Sequence, residues 1–221
     1  MSTSSRMSAS SREEAAAPVT SIAVVLDETG SMAPSRDATI RGFNQWLRAQ
    51  QSDGAACTLT LTLFSLKADA PVCRVRCRQV PLAEVKPLRR TTYRPAGNTP
   101  LHDAIGHTLT ALDGAAPAAD RYLVVILTDG LENASRTYTG GQIQDIIRER
   151  EATGRWTFVF LGANQDAVAA GEAIGASGAN SASFDVADID STFATLSAAT
   201  RSYRSGHARR SGTFWSGGRP R

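Results

Sequence analysis

Two apolar segments of this 221-residue sequence end in the same way, each with an aspartate at its last position. One aliphatic run stops at Asp27 and a second stops at Asp129. In an open parallel sheet, ligands bind outside the carboxyl ends of the strands where the strand order reverses, so two such aspartates can face one site. Thr29 and Ser31 follow Asp27 and add two hydroxyl oxygens on the same loop. Clustered oxygen ligands of this kind suit a small divalent cation.

Between these two loops along the chain, a second loop, residues 97–100, contributes another hydroxyl. Thr99 stands before a helical pattern with Pro100 at its first position, which by itself is typical of a helix cap. Together, three hydroxyls, two aspartates and bound water meet the octahedral oxygen coordination of Mg²⁺ at about 2.0–2.1 Å. Because hydroxyl ligands are uncharged, the cation would stay attractive to another anionic oxygen. The residues therefore predict a Mg²⁺ or Mn²⁺ site that bridges to a partner.

Alternating strand and helix patterns must position these loops. They predict an α/β fold, doubly wound around a mainly parallel sheet with one antiparallel edge strand and helices on both faces. Residues 57–66 and 72–80 alternate as a hairpin should. In its outer strand the alternation places one set of side chains inward, Cys73, Val75 and Cys77, and another outward at a charged edge, Arg74, Arg76 and Arg78.

Composition divides the chain into three parts. Residues 1–19 are rich in Ser and Ala and are expected to be a disordered lead, and residues 20–200 to form the domain. Residues 201–221 hold six Arg and no acidic residue, although the whole chain has a net charge of only +3. We expect this tail to be mobile and dispensable for folding beyond Gly206.

Several classes of protein are disfavoured by what the sequence lacks. The apolar runs are far shorter than the roughly 20 residues needed to cross a bilayer, and the lead has no signal-peptide core. Three cysteines, with no second pair to complete a zinc site, fit a reducing compartment. We therefore expect a cytoplasmic protein without membrane contact.

The three loops carry a family resemblance. They resemble, in order and spacing, the metal-ion-dependent adhesion site (MIDAS) of von Willebrand factor A (vWA) domains, and a further stretch resembles bacterial members: residues 27–32, 97–101, 127–130 and 158–164. The resemblance implies that Thr29, Ser31 and Thr99 ligate the metal directly or nearly so. It implies that Asp27 and Asp129 often act through water.

The same resemblance implies a protein-interaction module rather than an enzyme, in which an Asp or Glu carboxylate of a partner completes the metal coordination. Four residues beside the ligands are then expected at the partner interface: Glu28, Met32, Asn98 and Gly130. The sequence departs from the family pattern twice. Thr29 stands where many members have Ser, and Asn98 stands where Gly is common.

Two other functions compete with this interpretation. Residues 27–31 also resemble the aspartyl-phosphate loop of cation-pumping ATPases, in which Asp27 would be the nucleophile of a Mg²⁺-dependent phosphotransferase. However, Glu28 stands where that loop has Lys, and no glycine-rich phosphate loop is present. Alternatively, the Arg-rich tail could make an accessory contact with nucleic acid, with three aromatic residues available to stack, Tyr203, Phe214 and Trp215.

Overall fold

The computed structural model describes residues 19–54, 56–68, 72–113, 119–163, 166–206, 214–215 and 218–220. In these ranges strands and helices alternate along the chain. In order they are β1 (Thr20–Asp27), α1 (Arg36–Gln51), β2 (Cys57–Phe64), β3 (Cys73–Pro81), α2 (Leu101–Asp113), β4 (Arg121–Thr128), α3 (Gly140–Ala152), β5 (Trp156–Ala163), α4 (Ala167–Ala173), β6 (Ser181–Phe184) and α5 (Ile189–Arg204). The expected α/β fold is confirmed.

One sheet holds these strands in the order β3-β2-β1-β4-β5-β6. β1 runs parallel to both β2 and β4, and only β3 pairs antiparallel, at one edge. The chain first moves from β1 towards β3 and then crosses back to place β4 on the other side of β1. The strand order therefore reverses between β1 and β4, and Asp27 lies at the carboxyl end of one of these two strands.

The core occupies both faces of the sheet. Successive residues of β1 point to opposite sides, so Val24 and Leu26 belong to one apolar cluster while Ala23 and Val25 belong to the other. Helices α1 and α5 cover the first cluster, and α2 and α3 contribute to the second. Burial on both sides explains why β1, β4 and β5 are continuous apolar runs.

The edge strand β3 departs from the predicted alternation. Its pairing with β2 shifts register on both sides of Leu61, which marks a bulge. Because an extra residue reverses the alternation beyond it, Val75 is 39% exposed instead of inward. Arg74, expected in the outward row, has 39% of its side chain exposed, and its guanidinium lies 2.7 Å from the carboxylate of Glu28. The predicted inward placement of Val75 was therefore wrong.

The domain continues beyond residue 200. Helix α5 ends at Arg204, so the predicted boundary falls inside a helix. Phe214 is fully buried and Trp215 nearly so, both in the same apolar cluster as Tyr203. These aromatic groups bury too much apolar surface to be left in solvent. The expectation of an unpacked tail therefore fails for residues 214–215.

The disordered lead expected over residues 1–19 lies outside the described residues, except for Val19. Among the helices in the described ranges, none combines the length and the apolar character that crossing a membrane requires.

Candidate metal centre

The loop after β1 carries the first oxygen cluster. Asp27 is completely buried, and its Oδ1 accepts a hydrogen bond from the N–H of Thr29 at 2.7 Å. Its Oδ2 accepts from the hydroxyl of Thr128, the last residue of β4, at 2.6 Å. The hydroxyls of Thr29 and Ser31 lie 3.0 Å apart, and Ser31 donates to Oδ1 of Asp129 at 2.5 Å. The two aspartates predicted to share a site are thus joined through Thr29 and Ser31.

Thr99 approaches the same point from the second loop. Its N–H donates to Oδ1 of Asn133 at 2.8 Å, and its carbonyl accepts from the N–H of Asn133 at 3.1 Å. A methyl group added at Gly130 would lie 3.0 Å from the Thr99 hydroxyl and 3.7 Å from that of Ser31. Because Gly130 has no side chain, a space remains beside Asp129. The hydroxyls of Thr99 and Ser31 border this space.

Glycine at position 97 holds the second loop in place. Gly97 has φ +83°, and a Cβ there would lie 2.2 Å from the carbonyl oxygen of Leu66. Its own carbonyl accepts from the N–H of Gly30 at 3.0 Å, which ties the second loop to the first. Any side chain at this position would both strain the backbone and separate the loops. Asn98, on the same loop, is exposed and pairs through its backbone with Leu66.

Two acidic residues that the sequence patterns did not indicate connect the third loop, which follows β4 and carries Asp129, to α2. The Asp103 carboxylate accepts from the backbone N–H groups of Arg136, Thr137 and Tyr138. That of Glu132 accepts from the N–H groups of His102, Ala134 and Ser135. Burial opposes ionisation of both, but the N–H donors outweigh it and lower the pKa of each carboxyl. The contacts of Asp103, and that of Glu132 with His102, span 30 to 35 positions, so no local sequence signal could have shown them.

The side chains of Glu28 and Met32 are buried. Glu28 is 2% exposed, and its carboxylate contacts Arg74 at 2.7 Å, Lys67 at 3.6 Å and the N–H of Arg94. Met32 is fully buried in the core. The predicted interface role is therefore wrong for these two side chains, because their burial already serves the fold. Asn98 is exposed and Gly130 half-buried, so both stay candidates for contact.

Comparisons with solved structures support the architecture. The pilus adhesin SpaC from Lactobacillus rhamnosus GG matches with a TM-score of 0.66 at 12% identity, over 86% of this chain and 31% of the adhesin. Proximal thread matrix protein 1 from the mussel byssus matches at 0.58 and 13%, over 80% and 47%. The PilB minor pilin from Streptococcus sanguinis matches at 0.56 and 11%, over 85% and 62%.

The fold is vWA-like. At these identities the likeness extends to the fold alone, and the chain spans less than two thirds of each of these proteins. No family model matches the sequence, and no curated protein does.

The charges at this edge of the vWA-like domain are unbalanced. Burial raises the pKa of Asp27 to about 6, and the charge of Asp129 adds to the rise, although hydrogen bonds from Thr128 and Thr29 oppose it. Burial also raises the pKa of Asp129, against the hydrogen bond from Ser31. Within the described ranges, neither aspartate forms an ion pair with a basic side chain.

The uncompensated negative charge of the two aspartates bears on whether a metal ion fits here. A divalent cation would supply the positive charge that the two aspartates lack, and the surrounding donors are hydroxyl and carboxylate oxygens, which suit Mg²⁺ or Mn²⁺. The described part of the chain has no cluster of three or more His, Cys, Asp or Glu residues. The candidate donors are hydroxyl and carboxylate oxygens without imidazole nitrogen or thiolate sulfur, a set whose chemistry suits a hard cation rather than zinc.

Proposed function

We propose that this vWA-like domain binds Mg²⁺ or Mn²⁺ at the carboxyl edge of its sheet and uses the ion to hold a carboxylate of a partner protein. One observation carries the proposal: Asp27 and Asp129 are joined through Thr29 and Ser31, lie beside the hydroxyls of two loops, and form no ion pair with a basic side chain within the described ranges. The names of two similar structures, a pilus adhesin and a thread matrix protein, agree with an interaction module.

The residues divide into two groups in this proposal. The hydroxyls of Thr29, Ser31 and Thr99 would hold the ion, together with Asp129. Asp27 would act through water, because each of its carboxylate oxygens already accepts a hydrogen bond in a fully buried position. The bound cation would supply a positive charge for an incoming carboxylate. Ser31 is exposed, so such a carboxylate can approach from solvent.

We propose no catalytic activity. A phosphoryl acceptor must be reached by its donor, whereas Asp27 is buried with both oxygens engaged. Lys67 is occupied by the carbonyl of Arg94 and the carboxylate of Glu28. Incubation with labelled acetyl phosphate and Mg²⁺ should leave Asp27 unmodified, and a hydroxylamine-sensitive label on Asp27 would restore the phosphotransferase alternative.

The accessory nucleic-acid contact of the tail is weakened by the fold. Tyr203, Phe214 and Trp215 are buried, so they are not available for stacking on bases in this conformation. The cytoplasmic location and the bacterial origin stay predictions.

Calorimetry tests the metal site. After treatment with chelator, the domain should bind Mn²⁺ and Mg²⁺ at one site, and Thr99→Ala and Asp129→Asn should each weaken binding about tenfold or more. Thr153→Ala and Asp145→Asn are matched controls, since both residues are exposed and lie on or just after α3. Unchanged titration in Thr99→Ala and Asp129→Asn would show that the ion, if bound, lies elsewhere.

A further inference from the structure

The loop before α2 concentrates positive charge beside the candidate metal centre. From position 85 to position 102 the chain contains four basic residues and no Asp or Glu: Lys86, Arg89, Arg90 and Arg94. The charge of this segment is therefore one-sided, as it also is in residues 201–221. Arg90 pairs with Asp37, whereas Arg89 and Arg94 are exposed and form no ion pair within the described ranges.

Hydrogen bonds fix this loop against the end of β1. The hydroxyl of Tyr93 donates to the carbonyl of Asp27 at 2.7 Å, and the N–H of Arg94 donates to the Glu28 carboxylate. Two residues further on, the N–H of Ala96 donates to the Glu28 carbonyl at 2.9 Å. Arg94 is therefore placed next to the loop that carries the proposed metal ligands.

Arg89 belongs to the same rigid turn. Its carbonyl accepts from the N–H groups of Thr92 at 2.8 Å and Tyr93 at 2.9 Å. From the start of α1, Arg36 donates to the Tyr93 carbonyl at 3.2 Å and so braces the turn from outside. These contacts fix the backbone of the turn that carries Arg89 and Arg94, so both side chains extend into solvent from a rigid segment that adjoins the end of β1.

We infer that the partner segment is multiply acidic: one carboxylate completes the metal coordination, and further Asp or Glu side chains bind Arg89 and Arg94, which we name the basic wall. This inference rests on the proposed function and narrows it to a partner class. Guanidinium groups hold carboxylates well, and complementary charge around a metal contact increases both the association rate and the selectivity.

A polyanionic nucleic acid is the competing ligand for the basic wall. Binding of single strands relies on aromatic platforms, but Tyr93 is fully buried and none of the exposed large apolar residues in the described ranges is aromatic. Beside the site, Leu131 is 67% exposed, two positions after Asp129. An exposed aliphatic side chain next to a carboxylate site suits a protein segment better than a phosphate backbone.

Fluorescence anisotropy with defined probes tests the inference on the full chain. The probes are a labelled Gly/Ser peptide with one glutamate, a peptide of equal length with four glutamates, and a labelled single-stranded oligonucleotide. In Mg²⁺ the four-glutamate peptide should bind more tightly than the one-glutamate peptide. The double variant Arg89→Gln/Arg94→Gln should reduce that advantage about three- to tenfold while leaving the one-glutamate peptide unchanged.

The control removes the same charge elsewhere. Arg48, in the last turn of α1, and Arg78, on β3, are both exposed, and Arg48→Gln/Arg78→Gln should keep the full advantage. If the advantage persists in Arg89→Gln/Arg94→Gln, the basic wall is not the contact, although Mg²⁺-dependent binding of both peptides would leave the proposed function standing. If neither peptide needs Mg²⁺, the proposed function itself fails and the inference fails with it. Tighter binding of the oligonucleotide through the same two arginines would overturn the acidic-partner class.

Discussion

The hydroxyl of Ser31 donates to Oδ1 of Asp129 at 2.5 Å and so joins the loops that follow β1 and β4. On its other side Ser31 lies 3.0 Å from the Thr29 hydroxyl. The carboxylate that accepts this hydrogen bond forms no ion pair within the described ranges. A cation at the same point would replace a single hydrogen bond with several oxygen contacts and tie the two loops together.

Divalent metal should therefore raise the melting temperature. At a concentration near one hundred times Kd, Mg²⁺ or Mn²⁺ adds about 2.7 kcal/mol of stability, which corresponds to roughly 5–10 °C for a domain of this size. Asp129→Asn should lose most of this rise because it removes a charged ligand. Differential scanning fluorimetry with and without EDTA measures it, and Asp145→Asn should retain the full rise.

Asp27→Asn should stabilise the metal-free protein at neutral pH. Because burial raises the pKa of Asp27 to about 6 from an ordinary value of 3.8, the folded state favours the protonated form. The stability that this group contributes is thus fully present below about pH 4 and is lost as the pH rises through about 6. An uncharged amide avoids the loss, so the gain at pH 7 should be about 1–3 kcal/mol.

Denaturant unfolding in EDTA at pH 4 and pH 7 measures the difference between Asp27→Asn and the natural protein. It should be small at pH 4 and favour the variant at pH 7. In saturating Mg²⁺ the advantage of the variant at pH 7 should shrink, because the natural protein gains more from the metal. A difference that does not change with pH would contradict the assigned cause.

Gly130→Ala should close the candidate site with little effect on the fold. The added methyl would lie 3.0 Å from the Thr99 hydroxyl and must displace it, so we expect metal affinity to fall about tenfold or more. Gly141→Ala is the control, since a Cβ at this position in α3 meets no atom within 4 Å. It should bind metal normally and be about 0.5–1 kcal/mol more stable. Equal Mn²⁺ affinity in the two variants would refute the assigned position.

Glu28→Gln should destabilise the isolated protein rather than a complex. Glu28 is buried while its partners Arg74 and Lys67 are partly exposed, so the loss is smaller than for a wholly buried ion pair. We expect about 1–3 kcal/mol less stability by urea unfolding. Glu84→Gln, which changes an exposed carboxylate, should stay within about 0.5 kcal/mol. A stable Glu28→Gln with impaired partner binding would restore the interface role.

Phe214→Ala should destabilise the domain by about 3 kcal/mol or more, since the ring is fully buried against Tyr203 at a centroid distance of 6.2 Å. Arg219→Ala, in the exposed segment that follows, should be neutral. Chemical denaturation compares the two variants. Equal stability would show that the aromatic contact contributes nothing and that the predicted boundary at residue 200 describes the folding unit after all.

Sequence patterns were sufficient for the architecture because burial on two faces makes a strand uniformly apolar, as in the run that ends at Asp27. They also placed Asp27 and Asp129 at one edge, because parallel strands present their carboxyl ends together. The same local signals misplaced Val75, since a bulge depends on the pairing with β2 and leaves no mark in β3 alone.

The sequence by itself determined which oxygen-bearing residues could form the site and the order of the elements that carry them, because both follow from residue type and periodicity. Only the tertiary structure decided that the buried Glu28 forms an ion pair with Arg74, and that Glu132 accepts a hydrogen bond that holds its loop against α2. It alone buried Phe214 in the core. These outcomes depend on contacts between residues that are distant along the chain. Residue type alone permits several roles for each side chain, and its burial and its partners in the folded protein determine which role it takes.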